Sequence, residues 1–428
     1  MVRKIVIATL VVVVGGAAIA AGVLFGGESM PEPPAVSAAD KKAVVDGNTA
    51  FAVDLYHQLR ERDGNLFYSP YSTSTALAMT SLGANGKTLT QMQQVLHHRL
   101  EPAALHPAMH ALTYQVKHGH GPKWFFDNLW GAPGYEVSVA NSLWGDHGAA
   151  FHPDFLNQTQ ANYQAGMRRV DFAGDTENAR AAINRWVARE TNQKIKDVLQ
   201  PGTVSRLTRL VLANAIYFKG DWDQPFYPES TTEQPWLGAA RPAQVQLMHR
   251  KAPFAYLDGG SFQAVSLPYA GKELSMVVFV PNAPDGLAAF EKELTAAKLT
   301  EWTTKLAAAP RGEAEVLLPR FKMNAGGSLK PALQALGMKD AFEADAANLS
   351  AMSPESLYID DVIHQAFVEV NEKGTEAAAA TLVTVFGVSL AEERQAHPIV
   401  RADRPFFFVI RDDRSGSILF AGRLTQPE

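Results

Sequence analysis

The chain has no cysteine among its 428 residues. That excludes a disulfide framework, thiolate metal sites and an acylated cysteine of the lipoprotein kind. It does not identify a redox compartment, because a chain without thiols is indifferent to one. A surplus of charge of one sign is also missing. The 39 Lys and Arg against 44 Asp and Glu leave a net charge of −5 with both signs well mixed, so there is no electrostatic case for a nucleic-acid partner. Enzyme signatures are absent too: there is no G-x-S-x-G elbow and no H-E-x-x-H helix. Gly83-Ala84-Asn85-Gly86-Lys87-Thr88 ends like a phosphate-binding loop, but Ser81 stands where that loop requires its first glycine. It reads as a glycine turn between two helices. No internal repeat is found.

What remains is ordinary globular composition, 46% hydrophobic and 19% charged, enough for a large core. The N-terminus stands apart. Arg3 and Lys4 precede an uncharged run from Ile5 to Phe25, which as a helix would measure about 30 Å and cross a bilayer. Within it, Ile5 to Val14 makes a signal-peptide core and Ala18-Ile19-Ala20 a cleavage candidate. A cleaved signal peptide and a retained transmembrane anchor both fit, and either predicts an exported protein, extracellular or periplasmic. The expected organisation is residues 1–27 as leader or anchor, 28–47 as a Pro/Ala-rich linker, and 48–428 as one domain.

Apolar spacing predicts helices over Asp46 to Arg60, Ser72 to Leu82, Leu89 to Leu96, Thr176 to Thr191, Leu287 to Leu294 and Leu329 to Leu336. Strands are predicted over Tyr135 to Trp144, Val211 to Phe218, Glu273 to Val280, Glu315 to Leu318, Ile363 to Val370, Pro405 to Ile410 and Ser417 to Gly422. Long strands separated by helices without strict alternation indicate an α+β domain built on large mixed sheets. Six of the twelve histidines lie between His97 and His120. A metal or pH-sensing surface is conceivable there, but no carboxylate is arranged among them, and a solvated polar face is the expectation.

One segment behaves unlike the rest. Asn371-Glu372-Lys373-Gly374-Thr375-Glu376-Ala377-Ala378-Ala379-Ala380-Thr381 begins as an alanine-rich helix would. It continues into Thr384, Val385 and Phe386, which favour strands. At a period of two, Thr375, Ala377, Ala379, Thr381, Val383 and Val385 form a charge-free face, and Glu376 falls on the other parity. The segment is therefore competent both as a loop and as a buried strand, and a slip of one residue would drive Glu376 inward.

Several stretches then align with one family. Asn65-Leu66-Phe67-Tyr68-Ser69-Pro70-Tyr71-Ser72, Leu212-Ala213-Asn214-Ala215-Ile216-Tyr217-Phe218-Lys219-Gly220-Asp221-Trp222, Leu318-Pro319-Arg320-Phe321, Ile363-His364-Gln365-Ala366, Asp403-Arg404-Pro405-Phe406-Phe407-Phe408 and Ile418-Leu419-Phe420-Ala421-Gly422-Arg423 occur in order around the Gly-Thr-Glu-Ala-Ala-Ala-Ala segment. The chain resembles the serpins, as a bacterial-like exported member, from about Asn48 to Gln426. The resemblance implies an α+β fold of three β-sheets with about nine helices and an exposed reactive-centre loop. It also implies a suicide mechanism, in which a serine protease is trapped as a covalent acyl complex while the cut loop inserts as a new strand. Such insertion is known behaviour of the family rather than a deduction from this chain.

Carried over residue by residue, the family pattern places the reactive bond between Val388 and Ser389, fourteen residues after Gly374. Valine suits a small apolar specificity pocket, so an elastase-like protease is expected first. Phe386 or Leu390 would serve a chymotrypsin-like one in a register shifted by two. The hinge comprises Glu372, Gly374, Thr375, Glu376, Ala377, Ala378, Ala379, Ala380 and Thr381. A polar cluster under the central sheet, the shutter, matches Ser69, Ser72, Asn214 and His364. The top of the slot, the breach, matches Trp222, Arg320 and Glu372. The family implies no cofactor and no metal, and a monomer is expected. A non-inhibitory serpin acting as chaperone or carrier is the competing reading. Such members tend to carry bulky, charged or proline-containing hinges, and Thr375 to Thr381 has none in its inward face.

Overall fold

The computed structural model describes residues 31–118, 134–164, 167–238, 243–375 and 397–427. The central element is a six-stranded sheet. Its order runs from Phe321–Ser328 through Asp361–Val370, the two-residue strand Gly374–Thr375 and Leu210–Asp221 to Tyr135–Asp146 and Arg168–Val170. Leu210–Asp221 is buried along most of its length, as expected of a strand covered on both faces.

A second, nine-stranded hydrogen-bonded surface contains the two C-terminal strands, Phe406–Asp412 and Ile418–Leu424. It is two sheets sharing one long strand, Ala243–Asp258. The first part of that strand pairs with Thr232–Trp236, and its last part, from Ala255, pairs with Phe262–Pro268. Counted with the six-stranded sheet, this gives the three sheets expected. This is the three-sheet architecture that the serpin resemblance implies, and nine α-helices lie among the described residues.

Two helices connect sequence to site most directly. Pro70–Ser81 is buried at every position although six of its twelve residues are Ser or Thr. It tolerates this because Thr75, Thr80 and Ser81 donate back to carbonyls of their own helix. Ser69 caps it, accepting the Ser72 N–H at 3.0 Å. Thr176–Glu190 packs on the six-stranded sheet through Ile183, Trp186 and Val187.

Two expectations need correction. The helix predicted from Asp46 begins at Ala38, capped by Ser37, and Val44 and Val45 are buried. The linker reading therefore fails over 38–47, because Pro-rich composition stops at Pro34 and the Ala/Lys-rich stretch after it is good helix. The histidine-rich stretch is not a solvated face. It lies largely on helix Pro102–Lys117, where His106 and His110 are buried. His106 Nδ1 meets the Tyr163 hydroxyl at 2.6 Å and His110 Nε2 the Pro31 carbonyl at 3.1 Å. Burial lowers the pKa of His98 to about 3 and of His106 to about 4.

Candidate functional site

The six-stranded sheet is closed in its middle and parted at its top. From Asp361 to Phe367 the strand Asp361–Val370 pairs directly and in parallel with Val211 to Tyr217. Above that the two strands diverge, and Gly374–Thr375 enters between them: Thr375 is opposite Val370 on one side, and Gly374 and Thr375 are opposite Asp221 and Gly220 on the other. The chain reaches this slot through a tight turn at Asn371 to Gly374, closed by mutual backbone hydrogen bonds between those two residues. Gly374 has no room for a side chain, since a Cβ would lie 2.0 Å from the Gly220 carbonyl oxygen.

Thr375 is 0% exposed, and its hydroxyl is 2.8 Å from that of Tyr269. The inward parity predicted for it is the one observed. Tyr269 stacks on Trp222 with ring centroids 4.6 Å apart, and it meets Phe218 edge-on. Burial raises the Tyr269 pKa well above its ordinary value, so the phenol stays neutral as a hydrogen-bonding partner.

Trp222 holds the turn by three contacts. Its indole N–H donates to the Asn371 carbonyl at 3.0 Å, its backbone N–H donates to Lys373 O at 2.8 Å, and its ring covers Tyr269. Glu372 is fixed from the other side. Its Oε1 accepts from Arg320 Nε at 2.7 Å and Thr231 Oγ1 at 2.6 Å, and its carbonyl accepts from Phe226 N at 2.8 Å. Burial alone would raise the Glu372 pKa, but the hydrogen bonds from Arg320 and Thr231 outweigh it and hold it low. Trp222, Arg320, Glu372, Gly374 and Thr375 thus lie together at the top of the slot. Tyr269 and Thr231 were not foreseen.

Below lies the polar cluster. His364 and Asn214 are register partners on the two directly paired strands. His364 Nε2 accepts the Ser69 backbone N–H at 3.0 Å, which leaves Nδ1 to carry the proton and donate to Asn214 Oδ1. Asn214 Nδ2 then donates to Ser72 Oγ at 2.6 Å and to Asn141 Oδ1. Ser69 Oγ donates to Leu419 O at 2.6 Å, linking the cluster to the second sheet system. Burial lowers the His364 pKa to about 3, so the ring is neutral. All four expected members meet. Asn141, the fifth, was missed. Its signal was available in register, since it lies opposite Asn214 across the antiparallel pair.

Glu376 to Thr381, the reactive bond at Val388 and Ser389, and the alternatives Phe386 and Leu390 lie outside the described residues, as does most of the stretch 119–135. Among the described residues no group of three or more His, Asp or Glu side chains is arranged to hold a metal ion.

A two-residue strand, Gly374–Thr375, wedged into the top of an otherwise closed sheet over a cluster that ties the sheet strands together is a serpin arrangement. The family profile for serpins (serine protease inhibitors) matches residues 46–427, and the chain belongs to that family. It is 41% identical over 391 residues to the bovine (Bos taurus) leukocyte elastase inhibitor, covering 89% of this chain and 98% of that one. It is 38% identical over 392 residues to Serpin B3 of Homo sapiens, covering 89% and 99%. Uncleaved ovalbumin superposes with a TM-score of 0.79 at 30% identity, over 90% of this chain and all of the other. Tengpin, a thermophilic serpin in its native state, gives 0.79 at 25% identity, over 92% and 96%. The two sequence relatives named here are mammalian and lend no support to a bacterial-like placement.

Proposed function

We propose that this serpin inhibits serine proteases as a suicide substrate, with elastase-like enzymes as first targets and chymotrypsin-like ones second. The observation that carries the reading is Thr375, fully buried in a slot between two strands that are still paired directly beneath it. Gly374–Thr375 therefore stands at the entrance of a sheet that has yet to open. Its next inward positions, Ala377, Ala379 and Thr381, are small and uncharged, so continuing the wedge downward would bury no charge. The relatives named as elastase inhibitors support the choice of target.

In this reading the protease serine oxygen attacks the Val388 carbonyl carbon. The Val388–Ser389 C–N bond breaks, the Ser389 amine leaves with a proton, and the protease remains esterified to Val388. Insertion of residues 376 onward then parts Asp361 to Phe367 from Val211 to Tyr217, and the His364–Asn214 link must break as it proceeds. Distorting the trapped active site preserves the ester, because losing one oxyanion-hole donor slows such chemistry by about 10²–10³-fold. The protein is read as an exported monomer, tethered or released according to the fate of residues 1–27. Among the described residues no helix is long and apolar enough to cross a membrane, and residues 1–30 lie outside them.

The test is to mix the chain with pancreatic elastase, chymotrypsin and trypsin. We expect an SDS-stable adduct, strongest with elastase, and a released C-terminal peptide beginning at Ser389 by mass spectrometry. Quantitative cleavage without any adduct would overturn inhibition and favour a carrier or chaperone role.

A further inference from the structure

Away from the hinge, a cavity of about 170 Å³ lies beside the six-stranded sheet. Strand Tyr135–Asp146 forms its floor, and helices Pro70–Ser81, Pro102–Lys117 and Thr176–Glu190 form its walls together with Tyr163, Gln164 and Arg168. Two features separate it from an ordinary packing gap.

The first is unsatisfied polar atoms. Ser142 is 2% exposed and Trp186 6%, both line the cavity, and neither Ser142 Oγ nor Trp186 Nε1 has a hydrogen-bond partner. Trp144, packed edge-on against Trp186 with centroids 5.7 Å apart, also leaves its Nε1 unpartnered. Three of the nine buried unpartnered polar atoms among the described residues therefore fall on this one patch. Native proteins rarely leave such groups dry.

The second is the sign of the charge. Arg168 lines the cavity with its guanidinium 5.2 Å from the Trp186 ring and 5.7 Å from that of Trp144. It makes no hydrogen bond to a described residue. Lys117 lies on the rim at the end of its helix, likewise without one. The one lining carboxylate, Glu190, is already engaged by Arg189 at 2.7 Å. Desolvation lowers the Arg168 pKa, Arg189 beside it lowers it further, and Glu190 offsets this only in part. Indole N–H, guanidinium and ammonium can only donate, so Trp186, Arg168 and Lys117 each need an acceptor that they do not find among the described residues. Water alone could occupy the volume, but Glu190 is a single carboxylate shared among Arg168, Lys117 and Arg189, which leaves the mouth of the cavity net positive.

From this geometry we infer that the cavity is a binding site for a small multivalent oxyanion, a polycarboxylate or a phosphate, held by Arg168 and Lys117 and hydrogen-bonded by Ser142 and Trp186. The lining includes Asn141 of the polar cluster but none of the hinge residues, and the inference does not depend on the inhibitor reading. An occupant would join helix Thr176–Glu190 to the Tyr135–Asp146 strand that also carries Asn141.

The full chain should be titrated with citrate and, separately, inorganic phosphate at constant ionic strength set by NaCl. Tryptophan fluorescence and thermal unfolding are the readouts. We expect a saturable fluorescence change and a saturable rise in melting temperature with at least one probe. Citrate alone would indicate a carboxylate ligand and phosphate alone a phosphoryl one. Half-saturation should shift at least about tenfold in Lys117→Gln, whose rim position leaves folding intact, and in Arg168→Gln. Ser142→Ala should keep or raise the melting temperature without probe and still weaken probe binding, which a purely structural hydroxyl would not do. A linear, non-saturating rise shared by all variants would be preferential exclusion of a kosmotropic anion and would overturn the inference. So would no response to either probe.

Discussion

The top and the middle of the six-stranded sheet are built from the same two strands and hold them in opposite ways. At the top they are separated by Gly374–Thr375, seated against Tyr269 and Trp222. In the middle they touch, and His364 joins Asn214 across the seam. The wedge rests on shape and aromatic stacking, which can be extended residue by residue. The seam rests on a neutral histidine in a fixed tautomer, which is made or broken as a unit. A sheet built this way has a place where opening starts and a separate place that resists it.

The largest effect on this contrast is expected at the wedge. Thr375→Arg puts a cation where the native side chain is fully buried, at a cost of roughly several kcal/mol if it stays unpaired. The chain should then be cleaved by elastase as a plain substrate. Undiminished SDS-stable adduct from that variant would mean that the inward parity does not matter.

Acid should act on the seam next. His98, His106 and His364 titrate in the folded state near 3 to 4, and unfolded histidine near 6.5. Because the folded values are depressed, the unfolded state binds more protons below about pH 6.5. Stability is therefore full above that value and lost as pH falls toward 4. We expect the unfolding free energy from urea titration to drop between pH 7.5 and 5, by roughly several kcal/mol in total, with the midpoint falling accordingly. A midpoint flat across that range would show these rings are not buried neutral.

His364→Ala isolates the seam from the other two rings. It strands the Ser69 N–H and the Asn214 carbonyl oxygen, each at about 1–3 kcal/mol, and should lower stability at pH 7.5 while reducing its acid sensitivity. The smallest change is Trp222→Phe, which keeps a stack on Tyr269 and loses the hydrogen bond to the Asn371 carbonyl. About 1 kcal/mol of stability should go. A loss as large as that of His364→Ala would place the breach and the shutter on an equal footing.

Much of this was readable from the amino-acid string because the local signals agreed with the fold. The Ser/Thr-rich helix Pro70–Ser81, the run Val211 to Phe218, apolar except for Asn214, and the Gly-Thr-Glu-Ala hinge each carry their period or composition on their face. Tyr269 does not. It sits in a Leu-Pro-Tyr-Ala turn, and its partner Thr375 is 106 residues away, so only the assembled sheets bring them together. Asn141 looks like a solvent-facing residue in an alternating strand, and its role depends on register with Asn214. The histidines of helix Pro102–Lys117 misled for a related reason. Polar composition suggests exposure, whereas Tyr163 and the Pro31 carbonyl satisfy two of the buried rings.

The most direct measurement is thermal unfolding of the intact chain beside a chain nicked once between residues 376 and 396. Full insertion would replace the Asp361-to-Phe367 seam by a new strand paired on both sides. At about 0.5–1.5 kcal/mol per ladder hydrogen bond, that gain is of order 10 kcal/mol. The nicked protein should therefore melt well above the intact one. Equal or lower melting, with the cut segment still open to further proteolysis, would contradict a sheet held waiting for its own loop.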